Sequence, residues 1–419
     1  MSDSATLADY RAALTAPGAG RPVLASALAR LPIAMGSIAI LIYVQRSTGS
    51  FASAGLVSAG TLVGVATGSV AQGRLIDRMG PTRPLLGMSV AFAASVAGAV
   101  AAIELRAPLA VVIGLAALVG VTQPAVASAS RALWGRLVPA GPQRQAAYAY
   151  EAISTEVFFI LGPGVAGVLA AAPWAGTGVV VTATLMLAGG LAFALTGTVR
   201  AWRPQPRPRP RLRRPLLGAL TTPGMRTLAV AVFGFGVIIG VVEVAVPASA
   251  TLAGHAAVGG ALLGVWSLSS VMFGVAYGSR PWPRPLHLRL PALLAGFALL
   301  VSLLAVPSTL AGLGFAMLVA GVLITPQATA HSAVIDQVAP VGTAAEAFGW
   351  LITAVTLGLA AGQSGSGALV ESVGPRVAFL AATAAGLSLA GVLWLRRATL
   401  LPARTSGAAP RSTVTLAAH

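Results

Sequence analysis

Three ionisable side chains stand inside long apolar runs of this chain: Arg30, Glu156 and Glu243. A charge at the centre of a membrane span costs about 2.5–3.5 kcal/mol on translocon scales, so side chains kept there point to function. The chemistry open to them is ion pairing and proton carriage. Arg30 and Glu156 fall at nearly the same depth of their runs, counted at about 1.5 Å per residue. That predicts a pair whose members lower each other's burial cost, with a fixed structural ion pair as the plain alternative. Glu243 lies further along its own run with no base at its depth, which suits a proton carrier or a hydrogen-bonded acid. Glu151 and Glu346 fall near the starts of their runs, where hydration makes them less informative. Covalent and metal chemistry find no candidates. Cysteine is absent, His255, His287, His331 and His419 are dispersed, and no G-x-x-x-x-G-K-[ST] loop is present. No cofactor, metal or enzymatic activity is expected.

The elements that must hold these residues follow from composition. Of 419 residues, 56% are apolar and 9% charged, against about 25% charged in a soluble chain. A spanning helix needs about 20 mostly apolar residues. Twelve such spans are read, at about 23–45, 51–72, 84–103, 107–130, 147–171, 176–198, 226–247, 258–278, 289–306, 308–333, 345–367 and 375–395. The runs are continuous and do not alternate, which excludes a β-barrel. The expected fold is an all-α polytopic membrane protein.

The 27 basic residues are all Arg, and the formal net charge is +17. They gather at span ends and form no stripe, which argues against a nucleic-acid partner. With both termini in the cytosol, the inner segments hold 23 of them, among them Arg131 and Arg136, while Arg46, Arg106 and Arg376 alone fall outside. The positive-inside rule therefore orients the chain and supports an even span count. The first span exceeds a secretory h-region and ends in Gln45-Arg46 without a small-residue cleavage site, so it is expected to be retained.

Segment 199–222 is rich in alternating Pro and Arg, which resists helix and core and predicts an extended linker. It serves as an orientation anchor or binds anionic lipid headgroups. Around it the chain divides into a cytosolic tail 1–22, a six-helix bundle 23–198, the linker, a second bundle 223–396 and a tail 397–419. Segments 120–150 and 321–350 share Pro/Gly punctuation: Pro124 with Pro326, Pro139 with Pro340, Gly141 with Gly342. Both occupy the turn from the fourth to the fifth helix of a half in one orientation, so the repeat is parallel.

The loop after the second span reads Gly73-Arg-Leu-Ile-Asp77-Arg78-Met-Gly80-Pro-Thr-Arg83. It resembles the signature G-x-L-x-D-R-x-G-R-[RK]-x-[RK] of the major facilitator superfamily, with Pro81 and Thr82 departing from it. Gly73 and Gly80 allow a tight turn, and Asp77 with Arg78 gives paired charge at a helix end. The resemblance implies two parallel six-helix bundles, latched together at the inner side by this loop in the outward-open state. The sister loop, Gly278-Ser-Arg280-Pro-Trp-Pro-Arg284, lacks the acid, which implies an asymmetric latch. In the fifth span Gly162-Pro163-Gly164-Val-Ala-Gly167 partly resembles an antiporter motif that kinks this helix at the interface between halves, with ordinary helix packing as the alternative. The Arg that drug exporters carry early in helix four has no counterpart in 107–130.

Tyr43, Gln123, Phe235, Trp266, Gln327 and Trp350 stand on helices that line the cavity in that family. With few fixed charges there, the cavity favours a small neutral or amphiphilic solute. The reading reached is a monomeric secondary transporter of the plasma membrane, using alternating access. Its partners are the solute, protons carried by Glu156 or Glu243, and membrane lipids, with export by exchange as the direction. Uncoupled facilitation, proton symport and a non-transporting receptor or scaffold are the rivals.

Overall fold

The computed structural model describes residues 6–49, 51–170, 172–204, 217–255, 258–278, 282 and 284–401. Among the described residues every regular element is helical. The first bundle contains α1 (Gly20–Thr48), α2 (Phe51–Met79) and α3 (Thr82–Glu104). It continues with α4, in two pieces (Leu109–Thr122 and Val126–Leu137), then α5 (Pro142–Ala170) and α6 (Thr177–Leu195). The second contains α7 (Pro223–Leu252), α8 (Val258–Gly278), α9 (Leu286–Ser302), α10 in two pieces (Leu310–Gly321 and Ile324–Val338), α11 (Ala344–Val373) and α12 (Pro375–Arg396). Eleven helices among the described residues are long and apolar enough to cross a membrane, and α5, at 29 residues, is the twelfth rod of that length.

The helices run past their apolar runs because hydrogen bonding continues until the backbone is turned. For α1 that happens at Gly49, which adopts φ 72°. A short helix, Leu7–Leu14, lies in the expected N-terminal tail and is capped reciprocally by Thr6 and Asp9. Linker residues 205–216 and tail residues 402–419 lie outside the described residues.

Burial is inverted relative to a soluble protein. Leu24, Val90, Phe315 and Leu395 are exposed on the outside, while Arg30, Asp77, Glu151, His331 and Glu346 are buried. Lipid solvates the former and cannot solvate the latter. Small residues bring helices close. In α7, Gly236 and Gly240 are spaced to meet Gly358 and Gly362 of α11, and a Cβ on any of these four would collide with backbone of the facing helix.

Pro124 breaks α4. Gln123 turns to ψ 119°, the extended setting favoured before proline. The freed backbone groups are taken up by Gln72 of α2. Its Nε2 donates to the carbonyls of Val121 (2.8 Å) and Gln123 (2.9 Å), and its Oε1 accepts from the N–H of Ala125 (3.0 Å). A buried backbone group stripped of its partner costs about 1–3 kcal/mol. Gln72→Leu is therefore expected to cost about 2 kcal/mol, read as a lower thermal midpoint in detergent, and an unchanged midpoint would refute it. The sister helix α10 breaks at the corresponding place, between Gly321 and Ile324, where the N–H of Thr325 donates to Ser270 of α8 (3.2 Å).

Candidate functional site

The loop between α2 and α3 stands at the Arg-rich end of the bundles. The Asp77 carboxylate accepts the backbone N–H groups of Ala345 (3.1 Å) and Glu346 (2.8 Å). These belong to the first turn of α11, where unsatisfied N–H groups and the helix dipole favour negative charge. Gly73 lets the chains meet: a Cβ there would lie 2.6 Å from the Ala345 carbonyl oxygen. Gly80 closes the turn at φ 80°. Arg78 and Arg83 are exposed, so the expected pairing of Asp77 with Arg78 gives way to a cap across the two bundles. The cation in this latch is Arg74, whose Nε lies 3.0 Å from Glu346 Oε1. The same oxygen accepts from the N–H of Ala219 (2.9 Å), at the end of the linker.

Deeper in the same seam, Ser69 of α2 reaches the carbonyl of Gly349 and the hydroxyl of Thr353, both at 3.2 Å, and Thr353 donates to the Ala66 carbonyl. On the other side of the interface, Tyr148 of α5 donates to Asp336 of α10 (3.0 Å), and Arg144 lies 3.4 Å from the same carboxylate. These contacts lie in the halves of α2, α5, α10 and α11 nearest the Arg-rich end, which is held shut. Of the sister loop, Ser279, Arg280, Pro281 and Pro283 lie outside the described residues.

The expected pair of Arg30 with Glu156 is not formed. Arg30 donates to Glu151 and, at 2.7 Å, to Ser154, and its guanidinium lies 5.9 Å from the Tyr150 ring centre. One helical turn decides this. Glu151 lies on the face of α5 turned toward α1 and α4, where Ser130 and Trp134 also donate to it, each at 2.8 Å. Glu156 faces the second bundle instead. Both Glu151 and Glu346 are buried, contrary to the hydration expected near the start of a span. Arg131, counted in the sequence as an inner-segment charge, is packed within α4, in electrostatic reach of Glu151 and Arg30.

Glu156 stands beside Ser267 of α8 and senses Glu243 of α7. Glu243 does have a partner: Gln363 of α11 donates to it at 2.9 Å. Two carboxyls from opposite bundles thus share one region of the interface. Gly162 packs on α1, where a Cβ would come within 2.6 Å of the Ala34 Cβ. This is a contact inside the first bundle and not one between halves. The Pro163 ring and the packing around Gly167 lie outside what is described.

The cavity candidates separate. Tyr43 is fully buried at the end opposite the Arg-rich one, where it and Trp174 donate to Glu104 at 2.7 and 2.8 Å. It is a structural anchor. Gln123 forms the α4 break described above. Phe235 and Trp266 pack on Phe297, with ring centres 5.5 and 6.3 Å away, and Phe235 also meets the edge of His331. Gln327 is buried and its Nε2 lies 3.1 Å from the His331 ring. Buried and without hydrogen-bond partners among the described residues are Gln327 Oε1 and the indole N–H groups of Trp266 and Trp350. His331 is the residue the sequence reading passed over in this cluster; a polar residue four positions from Gln327 in an apolar span was its signal.

The model of the Major Facilitator Superfamily matches residues 23–362. The chain belongs to this superfamily. Similar solved structures include a bacterial homologue of the iron transporter ferroportin in an outward-facing state, at 14% identity and TM-score 0.71, covering 91% of this chain and 99% of that one. The human organic anion transporter MFSD10 (TETRAN) is 17% identical, with TM-score 0.66 and coverage of 92% and 99%. The E. coli fucose:proton symporter FucP is 13% identical, with TM-score 0.63 and coverage of 91% and 98%. At these identities the likeness concerns the fold. Among curated proteins none matches the chain. This superfamily member is a multi-pass membrane protein and a secondary transporter, and the α2–α11 latch is its closed end.

Proposed function

We propose that the chain moves a small amphiphilic solute across the plasma membrane by alternating access, and that Glu156 and Glu243 carry protons in exchange for exported solute. In this reading the Arg-rich end faces the cytosol, as the positive-inside rule requires. The two bundles rock about a midplane site and open the latch in turn. Segments 23–198 and 223–396 are the two moving units, with 199–222 as their tether.

The arrangement that carries the coupling is a pair of carboxyls on opposite bundles, Glu156 beside Ser267 of α8 and Glu243 held by Gln363 of α11, within electrostatic reach of each other. Two ionised carboxylates repel in a low-dielectric setting. Neutralising one of them removes a force that pushes the bundles apart, so proton binding and rocking become linked. Ser267 and Gln363 are the neutral side chains placed to hold either form. No nucleotide-binding loop is available as an alternative energy source.

The test uses everted vesicles from overexpressing cells, energised to a standing pH gradient reported by a quenched dye. A panel of amphiphilic drugs, sugars and peptides is added one at a time. At least one solute is expected to discharge the gradient. The Glu156→Gln and Glu243→Gln double variant is expected to slow that discharge by about 100-fold or more, the lower range of effects seen for positioned proton-transfer groups. Discharge at the unaltered rate in the double variant would overturn the assignment.

A further inference from the structure

The buried charges gathered around Glu151 do not balance. Arg30 and Arg131 contribute two cations, and Glu151 is the single anion among them. Glu151 already accepts from Arg30, Ser130 and Trp134. Asp336, across the interface, is engaged by Tyr148 and Arg144. Arg131 is left over. Its Nε is buried with no partner, and the guanidinium makes no hydrogen bond or ion pair among the described residues.

An Arg is not retained unpaired inside a membrane protein without a reason, because its burial cost is recovered only when an anion or acceptor meets it. Arg131 is half-buried and keeps some accessible surface. It also lies beside Tyr148, whose ring meets Phe348 of the second bundle, so it borders the interface along which the bundles move. A guanidinium offers a planar fork that matches a carboxylate. One surplus positive charge calls for one negative charge.

We propose that Arg131, backed by Arg30, is the binding site for the anionic group of the transported solute, and that this solute is a monocarboxylate. The proposal rests on the transporter reading above and narrows its amphiphilic solute to one that carries an acid. Arg131 makes the direct contact. Arg30, held by Glu151 and Ser154, is a positioning residue that keeps the surroundings cationic.

Purified protein in detergent is titrated with acetate, lactate, hexanoate, benzoate and phenylacetate, and with the primary amide of each, while unfolding is followed by Trp fluorescence. At least one acid is expected to raise the thermal midpoint, and its amide is expected not to. Arg131→Gln is expected to weaken that acid by roughly 10- to 100-fold, the range for one charge-assisted pair. Without ligand, the same variant is expected to unfold at the unaltered midpoint or above it, because an unpaired charge has been removed. A lower midpoint without ligand would mark Arg131 as a structural residue and overturn the proposal. So would stabilisation by the amides equal to that by the acids, retention of the shift in Arg131→Gln, or no shift with any of the five acids. Flux assays separate this inference from the reading beneath it. Vesicles that carry the amides as fast as the acids uphold transport and refute the carboxylate site. Arg131-dependent binding without flux upholds the site and refutes transport.

Discussion

Glu151→Gln is expected to lower stability by about 3–5 kcal/mol, the cost of removing one partner from a buried ion pair. The carboxylate is 1% exposed and gathers Arg30, Ser130 and Trp134. Its loss strands Arg30, itself 4% exposed, beside a second cation, Arg131. A neutral amide accepts the hydroxyl and indole donors but offers no charge. Arg30→Gln added to Glu151→Gln is expected to recover part of the loss, since the double variant buries no stranded cation from this pair. Glu156→Gln serves as the contrast. It has no Arg beside it and is expected to cost under about 1 kcal/mol, as for a substitution that leaves no partner unmet. Thermal midpoints of the four proteins in one detergent decide the matter. If Glu156→Gln proved the damaging change and Glu151→Gln the mild one, the pairing described here would be wrong.

Asp77→Ala is expected to open the Arg-rich end. Hydrogen bonds to a charged group are worth about 1.5–3 kcal/mol each, and Asp77 makes two with the first turn of α11. Both belong to the closed arrangement, because separating α2 from α11 breaks them. Losing about 3 kcal/mol of that preference shifts the closed-to-open ratio on the order of 100-fold. The chain contains no native cysteine, so a reporter can be added without background. Ser69→Cys is nearly isosteric and lies buried in the seam against Gly349. Its labelling by a polar maleimide is expected to be slow in the parent and faster by one to two orders of magnitude after Asp77→Ala, following the open population. Equal labelling rates would show that Asp77 does not hold this end shut.

The twelve rods were legible in the linear chain for a physical reason. Backbone polar groups cannot be left unpaired in lipid, so each long apolar run is forced into a helix whatever its neighbours are. The same holds for the loop at Gly73, Asp77 and Gly80, where a turn and a charge at a helix end leave a local imprint. Pro124 leaves a local mark too, since Pro cannot donate and restricts the residue before it, but 107–130 reads as one continuous span and the break in α4 emerges only in the structure.

What the local pattern could not supply was the identity of partners. Depth counting put Arg30 level with Glu156, but depth is one coordinate, and the rotation of α5 about its own axis chose Glu151 instead. Asp77 was read with its neighbour Arg78, whereas its cap comes from the Ala345 and Glu346 amides, more than 250 residues away in the chain. Tyr43 belonged to a helix expected to line a cavity, yet its hydroxyl is spent on Glu104 at one end of the bundle.

Composition and the apolar runs by themselves determined the solvent and the helical make-up of the chain. These depend on transfer free energies that act residue by residue. Only the tertiary structure decided which buried charges meet, which end is shut, and that Arg131 makes no ion pair among the described residues. Coulomb and hydrogen-bond energies act over a few ångströms, so they are set by how the helices are turned and packed, which no single stretch of sequence records.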